Sequence, residues 1–193
     1  MTRKTESEVL FETFCSANGL AWEPISPGPT KTADYRLRFG NAEVVFEIEQ
    51  IESKKGFEPS GVSSRTIGAH VRHKISEARP QLRAAQLPAV LLIHNTVDPL
   101  QAFGTEPHDF ICGMYGELTV RLAKDSPRES FHGRNAKLRH DTNTSFSGVG
   151  HLKRTQAGAE ITIYENVYAA RPLPFEALPQ CLGVVRIQLE HAA

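Results

Sequence analysis

Ala33-Asp34-Tyr35-Arg36-Leu37-Arg38-Phe39-Gly40-Asn41-Ala42-Glu43-Val44-Val45-Phe46-Glu47-Ile48-Glu49-Gln50-Ile51 is the stretch that decides how the chain is read. Two runs rich in aromatic and β-branched residues meet at Gly40-Asn41, so the stretch predicts a β-hairpin. Strand side chains alternate between faces, which puts Val45, Glu47 and Glu49 on one side and Phe46, Ile48 and Gln50 on the other. Two carboxylates therefore point the same way, and Asp34 stands at the entrance to the partner strand. Acidic residues are depleted in strands, so their gathering here asks for a cause.

Upstream, Val9, Leu10, Phe14 and Ala17 recur at helical spacing, with Ser7 as a candidate cap and Asn18-Gly19 as a stop, giving an amphipathic helix over Ser7 to Asn18. Leu20 to Glu23 reads as a short strand, and the proline-rich stretch Pro24 to Pro29 as the loop that delivers the chain to Asp34. Downstream, residues 52–64 lack an apolar period and read as a loop. Ile67, Val71, Ile75, Ala78, Leu82 and Ala85 then mark a helix over Arg65 to Gln86, with Pro80 inside it as a site for a kink near Ser76 or a break at Arg79. Lys74 and Gln81 fall on one edge of its apolar stripe, with His70 beside them. The continuous apolar run Pro88 to Asn95 predicts a central strand buried on both faces and parallel to a neighbour.

A short helix over Phe110 to Tyr115 and strands over Glu117 to Ala123, Ser145 to Lys153, Ala159 to Tyr168 and Leu182 to Leu189 follow. Lys124 to Asn143 reads as a long exposed basic loop. The whole describes a single α/β domain over 1–193, with a mixed central β-sheet flanked by helices.

With 193 residues and a net charge of zero, the chain has the balance of an ordinary globular domain rather than that of a disordered or fibrous one. No apolar run is long enough to cross a bilayer, and the polar start Met1 to Glu6 has no apolar core behind it. The expectation is a cytoplasmic protein with no membrane partner. Cys15, Cys112 and Cys181 are odd in number, scattered and set among apolar neighbours, which suits buried thiols better than a disulfide framework or a zinc site. Charge is unevenly placed. Residues 1–52 carry five basic groups against nine acidic ones, whereas residues 121–154 carry eight basic groups against three. An acidic centre with basic surroundings suits a metal-dependent enzyme acting on phosphodiesters; a solvated charged face is the plainer alternative.

The familiar motifs are missing: no Gly-Lys-Ser/Thr phosphate loop, no Gly-x-Gly-x-x-Gly, no Gly-x-Ser-x-Gly and no His-Glu-x-x-His. His70 and His73 have helical metal spacing but no companion pair, and solvent or phosphate contact suits them better. What remains is Asp34 with Glu47 and Glu49. Three neighbouring carboxylates repel one another and raise their own pKa values unless a cation sits among them. Hard oxygen ligands suit Mg²⁺ or Mn²⁺, which can activate water and offset charge on a phosphodiester. The alternative is an exposed strand face whose acids pair with Lys31, Arg36 and Arg38.

The order of elements resembles that of the PD-(D/E)xK nuclease superfamily. It runs from a helix with Glu8, through Ala33-Asp34-Tyr35 and Val44-Val45-Phe46-Glu47-Ile48-Glu49, to a helix containing Gln81 and the strand Ala89 to His94. The resemblance covers residues 7 to about 95 and implies a restriction-endonuclease-like core, with residues 96–193 as additional strands and loops. It implies a Mg²⁺- or Mn²⁺-dependent nuclease in which Asp34, Glu47 and Glu8 serve the metal. Nucleic acid is then the partner, met by Arg65, Arg72 and Arg79 of the basic helix, and a homodimer is compatible. Glu49 stands where the family usually has lysine. It would act as base or third ligand, with Lys74 as a displaced lysine and Gln81 assisting. The other reading is a nuclease-fold binding or assembly module that has lost catalysis.

Overall fold

The computed structural model describes residues 4–26, 28, 31–52, 65–121 and 129–188. Most of the loop expected over 52–64 lies outside these residues, as does 122–128 of the basic segment. No helix among the described residues is long and apolar enough to cross a membrane.

The fold is mixed α/β. Helix α1 (Glu6–Ala17) leads to strands β1 (Trp22–Pro24), β2 (Tyr35–Phe39) and β3 (Ala42–Ile51), helix α2 (Ala69–Arg83), strand β4 (Ala89–Asn95) and helix α3 (Pro107–Tyr115). Strands β5 (Glu117–Arg121), β6 (Glu129–Arg134), β7 (Gly148–Thr155), β8 (Gly158–Glu165) and β9 (Leu182–Val185) follow. Seven strands form one sheet in the order β1-β2-β3-β4-β7-β8-β9, and β5 and β6 form a separate ribbon. β4 runs parallel to both β3 and β7, while the β1–β2, β2–β3 and β7–β8 pairs are antiparallel and β8–β9 is parallel.

The predicted hairpin forms, turning at Gly40 and Asn41 with Gly40 at a φ of 60°. Glycine carries no Cβ penalty in that left-handed region. All seven residues of β4 are buried, because parallel neighbours flank it on both edges and helices cover both faces.

Two apolar layers fill the faces of the sheet. Phe11 and Phe14 of α1 pack with Tyr35, Phe46, Ile48 and Leu92 on one face. Val71, Ile75, Ala78 and Leu82 of α2 pack with Val45, Leu91, Ile93 and Phe110 on the other. The alternation of β3 thus sends Phe46 and Ile48 to α1, and Glu47 and Glu49 to α2.

Several sequence expectations are corrected. The cap of α1 is Thr5, whose hydroxyl accepts from the Glu8 amide; Ser7 is fully buried instead, and its hydroxyl donates to Gln50 Oε1 at 3.2 Å. α2 starts at Ala69, not Arg65, and continues through Pro80 to Arg83 as one helix. The stretch expected as an exposed loop over Lys124 to Asn143 contains β6, which pairs with β5. Alternation there is hidden by glycine and polar residues on a two-stranded ribbon with little core to face.

A second glycine fixes where α2 begins. Gly68 has a φ of 74°, and its amide donates to Asp109 Oδ1 at 2.8 Å. A Cβ there would lie 2.6 Å from the Gly113 nitrogen, so only glycine lets α2 start this close to α3.

A candidate carboxylate site between β3 and α2

Asp34 immediately precedes β2. Its amide donates to the Phe46 carbonyl at 3.0 Å, just past the end of the regular β2–β3 register, which closes with Tyr35 opposite Phe46. The Asp34 charge acts directly on Glu47, so the two carboxylates are neighbours. Asp34 Oδ2 accepts from the Ile48 amide at 2.8 Å, which leaves Oδ1 free of that bond. Glu47 is only 4% exposed, and its Oε2 is buried with no hydrogen-bond partner. Gln81, on the edge of α2, comes close enough to Glu47 to oppose the rise in its pKa, yet its own Oε1 is buried and unpartnered.

Burial is the main force on both acids. It pushes the Glu47 carboxyl up to about 9, with the neighbouring Asp34 and Glu49 charges adding to the rise and Lys31 and Gln81 opposing it. It lifts Asp34 to about 6 against the stabilising Ile48 amide, with Glu8 and Glu49 contributing. A carboxyl kept out of water beside other anions favours its neutral form unless positive charge arrives.

Glu49 is differently placed. Its Oε2 accepts from Lys74 Nζ at 3.0 Å, and Lys74 also meets Glu77 Oε2 at 2.8 Å. Burial alone would lower the Lys74 pKa, but its bonds to Glu77 and Glu49 outweigh that and raise it. The ammonium therefore stays charged at neutral pH.

Asp34, Glu47, Glu49, Lys74 and Gln81 thus meet in one place, as far apart in sequence as a hairpin and the following helix. Glu8 is tied elsewhere. Its Oε2 accepts from the Thr5 amide at 2.6 Å in the capping box of α1, the helix on the opposite face, and it reaches Asp34 only through longer-range repulsion. Among the described residues, no group of three or more His, Cys, Asp or Glu side chains is arranged to hold a metal ion. Glu47 Oε2 and the amide Oε1 of Gln81 are both buried and unpartnered, and Asp34 Oδ1 is the oxygen not engaged by the Ile48 amide. Mg²⁺ commonly takes only one or two carboxylates and completes its shell with water and substrate, so two carboxylates and an amide oxygen are the donor types such an ion would use.

Lys31 and Glu77 were not singled out as site residues. Glu77 was findable, since it lies three residues after Lys74 on a helix. Lys31, in an irregular segment, left no periodic signal. The exposed-face alternative for the acids fails for Glu47, which is buried, while Arg36 pairs with Glu23 at 3.4 Å and Arg38 with Glu43 at 2.8 Å.

The arginines expected to meet nucleic acid divide. Arg65 lies ahead of α2 and bonds Asp109 and Glu106 of the α3 cap, its guanidinium 4.9 Å from the Phe103 ring centre. Arg72 donates to the carbonyls of Cys112 at 3.2 Å and Ile67 at 2.9 Å. Both join α2 to α3, whereas Arg79 is exposed. His70 packs against Gly104, and burial lowers its pKa despite the nearby Asp109 charge. The three cysteines are free thiols, with burial pushing Cys15 up to about 12.

The chain matches no protein-family model, no curated protein and no solved structure.

Proposed function

We propose that this protein is a Mg²⁺- or Mn²⁺-dependent nuclease that hydrolyses phosphodiester bonds of DNA or RNA at the Asp34–Glu47–Glu49 site, on a restriction-endonuclease-like core. The observation that carries the reading is Glu47, a carboxylate 4% exposed whose Oε2 has no partner and whose nearest charged neighbours include two more acids. A buried anion left in that state is costly, and a divalent cation is the partner that would relieve it.

Asp34 Oδ1, Glu47 Oε2 and Gln81 Oε1 are the atoms that would hold the ion. Bound there, it would lower the pKa of a water and offset charge on a phosphate. Lys74, charged and hydrogen-bonded to Glu49 at 3.0 Å, supplies the positive group that a Glu at position 49 cannot. Glu49, on the same strand face as Glu47, is the base oriented by that ammonium. Asp34 is held in place by the Ile48 amide at Oδ2, so its other oxygen keeps a fixed direction.

The second reading, a non-catalytic nuclease-fold module, is favoured by the double ion pair that closes Lys74 onto Glu49 and Glu77. Calorimetric titration of Mn²⁺ at pH 8, alongside cleavage of plasmid DNA and RNA in Mg²⁺, separates the two. The nuclease reading expects metal uptake and cleavage, both lost in Asp34→Ala and Glu47→Ala. Neither heat nor cleavage in the wild type would sink it.

A further inference from the structure

We infer that the flank of α2 facing away from the carboxylate site forms, with residues 135–145 and Arg171, a groove that seats the phosphate backbone of nucleic acid. Arg72, Arg79 and Arg83 recur at spacings of seven and four and so share one side of α2, while Lys74 and Gln81 lie on the other side of the buried stripe. Two cavities follow one another along that flank. The first, about 360 Å³, lies between Arg72 and Lys137; the second, about 340 Å³, is lined by Arg79, Arg83, Asp141 and Arg171. Asn143 joins the walls opposite α2 by donating to the Lys137 carbonyl at 2.8 Å.

Five permanent cations thus face one carboxylate, that of Asp141. Arg72 donates to backbone carbonyls and Arg171 to Gln86 Oε1, and none of the five makes a salt bridge among the described residues. Like charges collected without counter-ions raise a field that a polyanion satisfies. The groove is linear and concave, which fits a strand rather than a flat lipid surface. From Arg72 to Arg83 the helix advances about 16 Å at about 1.5 Å per residue, the axial length of about five phosphates of one strand. Two basic segments far apart in sequence, α2 and 135–171, are what the fold joins here.

Naming the polyanion a nucleic acid rests on the nuclease reading; the charge of the groove does not. The test uses the full chain in EDTA, so that binding is read without cleavage, with a fluorescein-labelled 20-base-pair DNA duplex followed by anisotropy. Contact at all five cations gives a slope of log K against log salt of about −4.5, an affinity loss of about 500-fold between 50 and 200 mM. Arg79→Gln with Arg83→Gln should weaken binding about 60-fold at 0.1 M salt and bring the slope to about −2.7. Lys137→Gln, on the opposite wall, should weaken it about 8-fold. Circular dichroism melts matching the wild type would show that these variants fold.

Duplex affinity unchanged in both variants would overturn the inference, as would binding to phosphatidylserine vesicles with none to the duplex. Groove-dependent binding without cleavage in Mg²⁺ would leave the groove standing and sink the nuclease. Cleavage with groove variants binding normally would do the reverse.

Discussion

Glu47→Gln is the substitution that most directly examines the carboxylate site. The Glu47 carboxyl rises from an ordinary 4.5 to about 9 in the folded protein, chiefly through burial and then through Asp34 and Glu49. Between those two values the folded state holds a proton that the unfolded chain has released, so stability falls as pH rises through this window. At pH 7, about 2.5 pH units above the ordinary value and at about 1.4 kcal/mol each, the metal-free protein carries a penalty of about 3 kcal/mol.

Glutamine has the shape of the neutral acid and removes that penalty. Its amide can also donate to the unpartnered Gln81 Oε1. For a chain of this length the difference corresponds to a Tm higher by roughly 6–12 °C at pH 7 in EDTA, shrinking toward zero near pH 4.5. Differential scanning calorimetry from pH 4.5 to 9 reads both quantities. Saturating Mn²⁺ should raise the wild-type Tm, by about 2.7 kcal/mol of stability at a hundredfold excess over Kd, and leave the variant unmoved. A wild-type Tm that is flat from pH 5 to 9, or a variant less stable than wild type at pH 8, would refute the argument that Glu47 is an uncompensated buried acid.

Other expectations follow from the same geometry. Arg65→Ala leaves Asp109, 1% exposed, without its guanidinium partner, and should cost about 3 kcal/mol in urea denaturation, whereas Arg79→Ala should stay within about 0.5 kcal/mol. Gly68→Ala places a side chain against the Gly113 backbone at a left-handed position and should lose about 1–3 kcal/mol, visible as a lower urea midpoint with an unchanged m-value. Lys74→Met removes the cation from Glu49 and Glu77; it should abolish Mg²⁺-dependent cleavage while lowering stability by about 1–2 kcal/mol.

The hairpin and α2 were legible because each repeats a short-range pattern: alternation in 42–51, and a three-and-four spacing in 69–83. β4 was legible because a strand buried on both faces leaves no polar residue in its centre. The same rules put Glu47 and Glu49 on one strand face and Lys74 and Gln81 on one helix edge; that the two sets would meet around Asp34 was implied by the resemblance in element order, not by periodicity. Less legible were features set by long-range packing. β6 has no apolar face to betray it, because its ribbon lies outside the main sheet. Arg65 and Arg72 read as solvent-facing cations in a basic helix, yet α3 and its cap supply Asp109, Glu106 and the Cys112 carbonyl to receive them, with the Ile67 carbonyl ahead of α2 taking the rest of Arg72. Glu8 read as a free acid, and Thr5 claims it through a capping box whose start lay two residues earlier than expected. Without knowing what lies across from a side chain, sequence spacing gives its direction but not its partner.

The pairing of β4 with β7 also bears on the order in which the molecule assembles. The strand register joins Val90 to Gly148 and Ile93 to His151, contacts that close a long loop of chain, whereas the hairpin closes over a two-residue turn. Loop closure that must precede its reward slows folding, so local pairings form before distant ones. All the residues of the carboxylate site fall between Asp34 and Gln81, within one hairpin and the helix after it. The basic groove needs Lys137 and Arg171 brought back against α2 by that late pairing. In a φ-value series, core substitutions in β2 and β3 such as Leu37→Ala should therefore slow folding, while Phe146→Ala beside β7 should chiefly speed unfolding. A nascent chain would then possess its acidic centre well before it possesses the basic surface that draws nucleic acid to it.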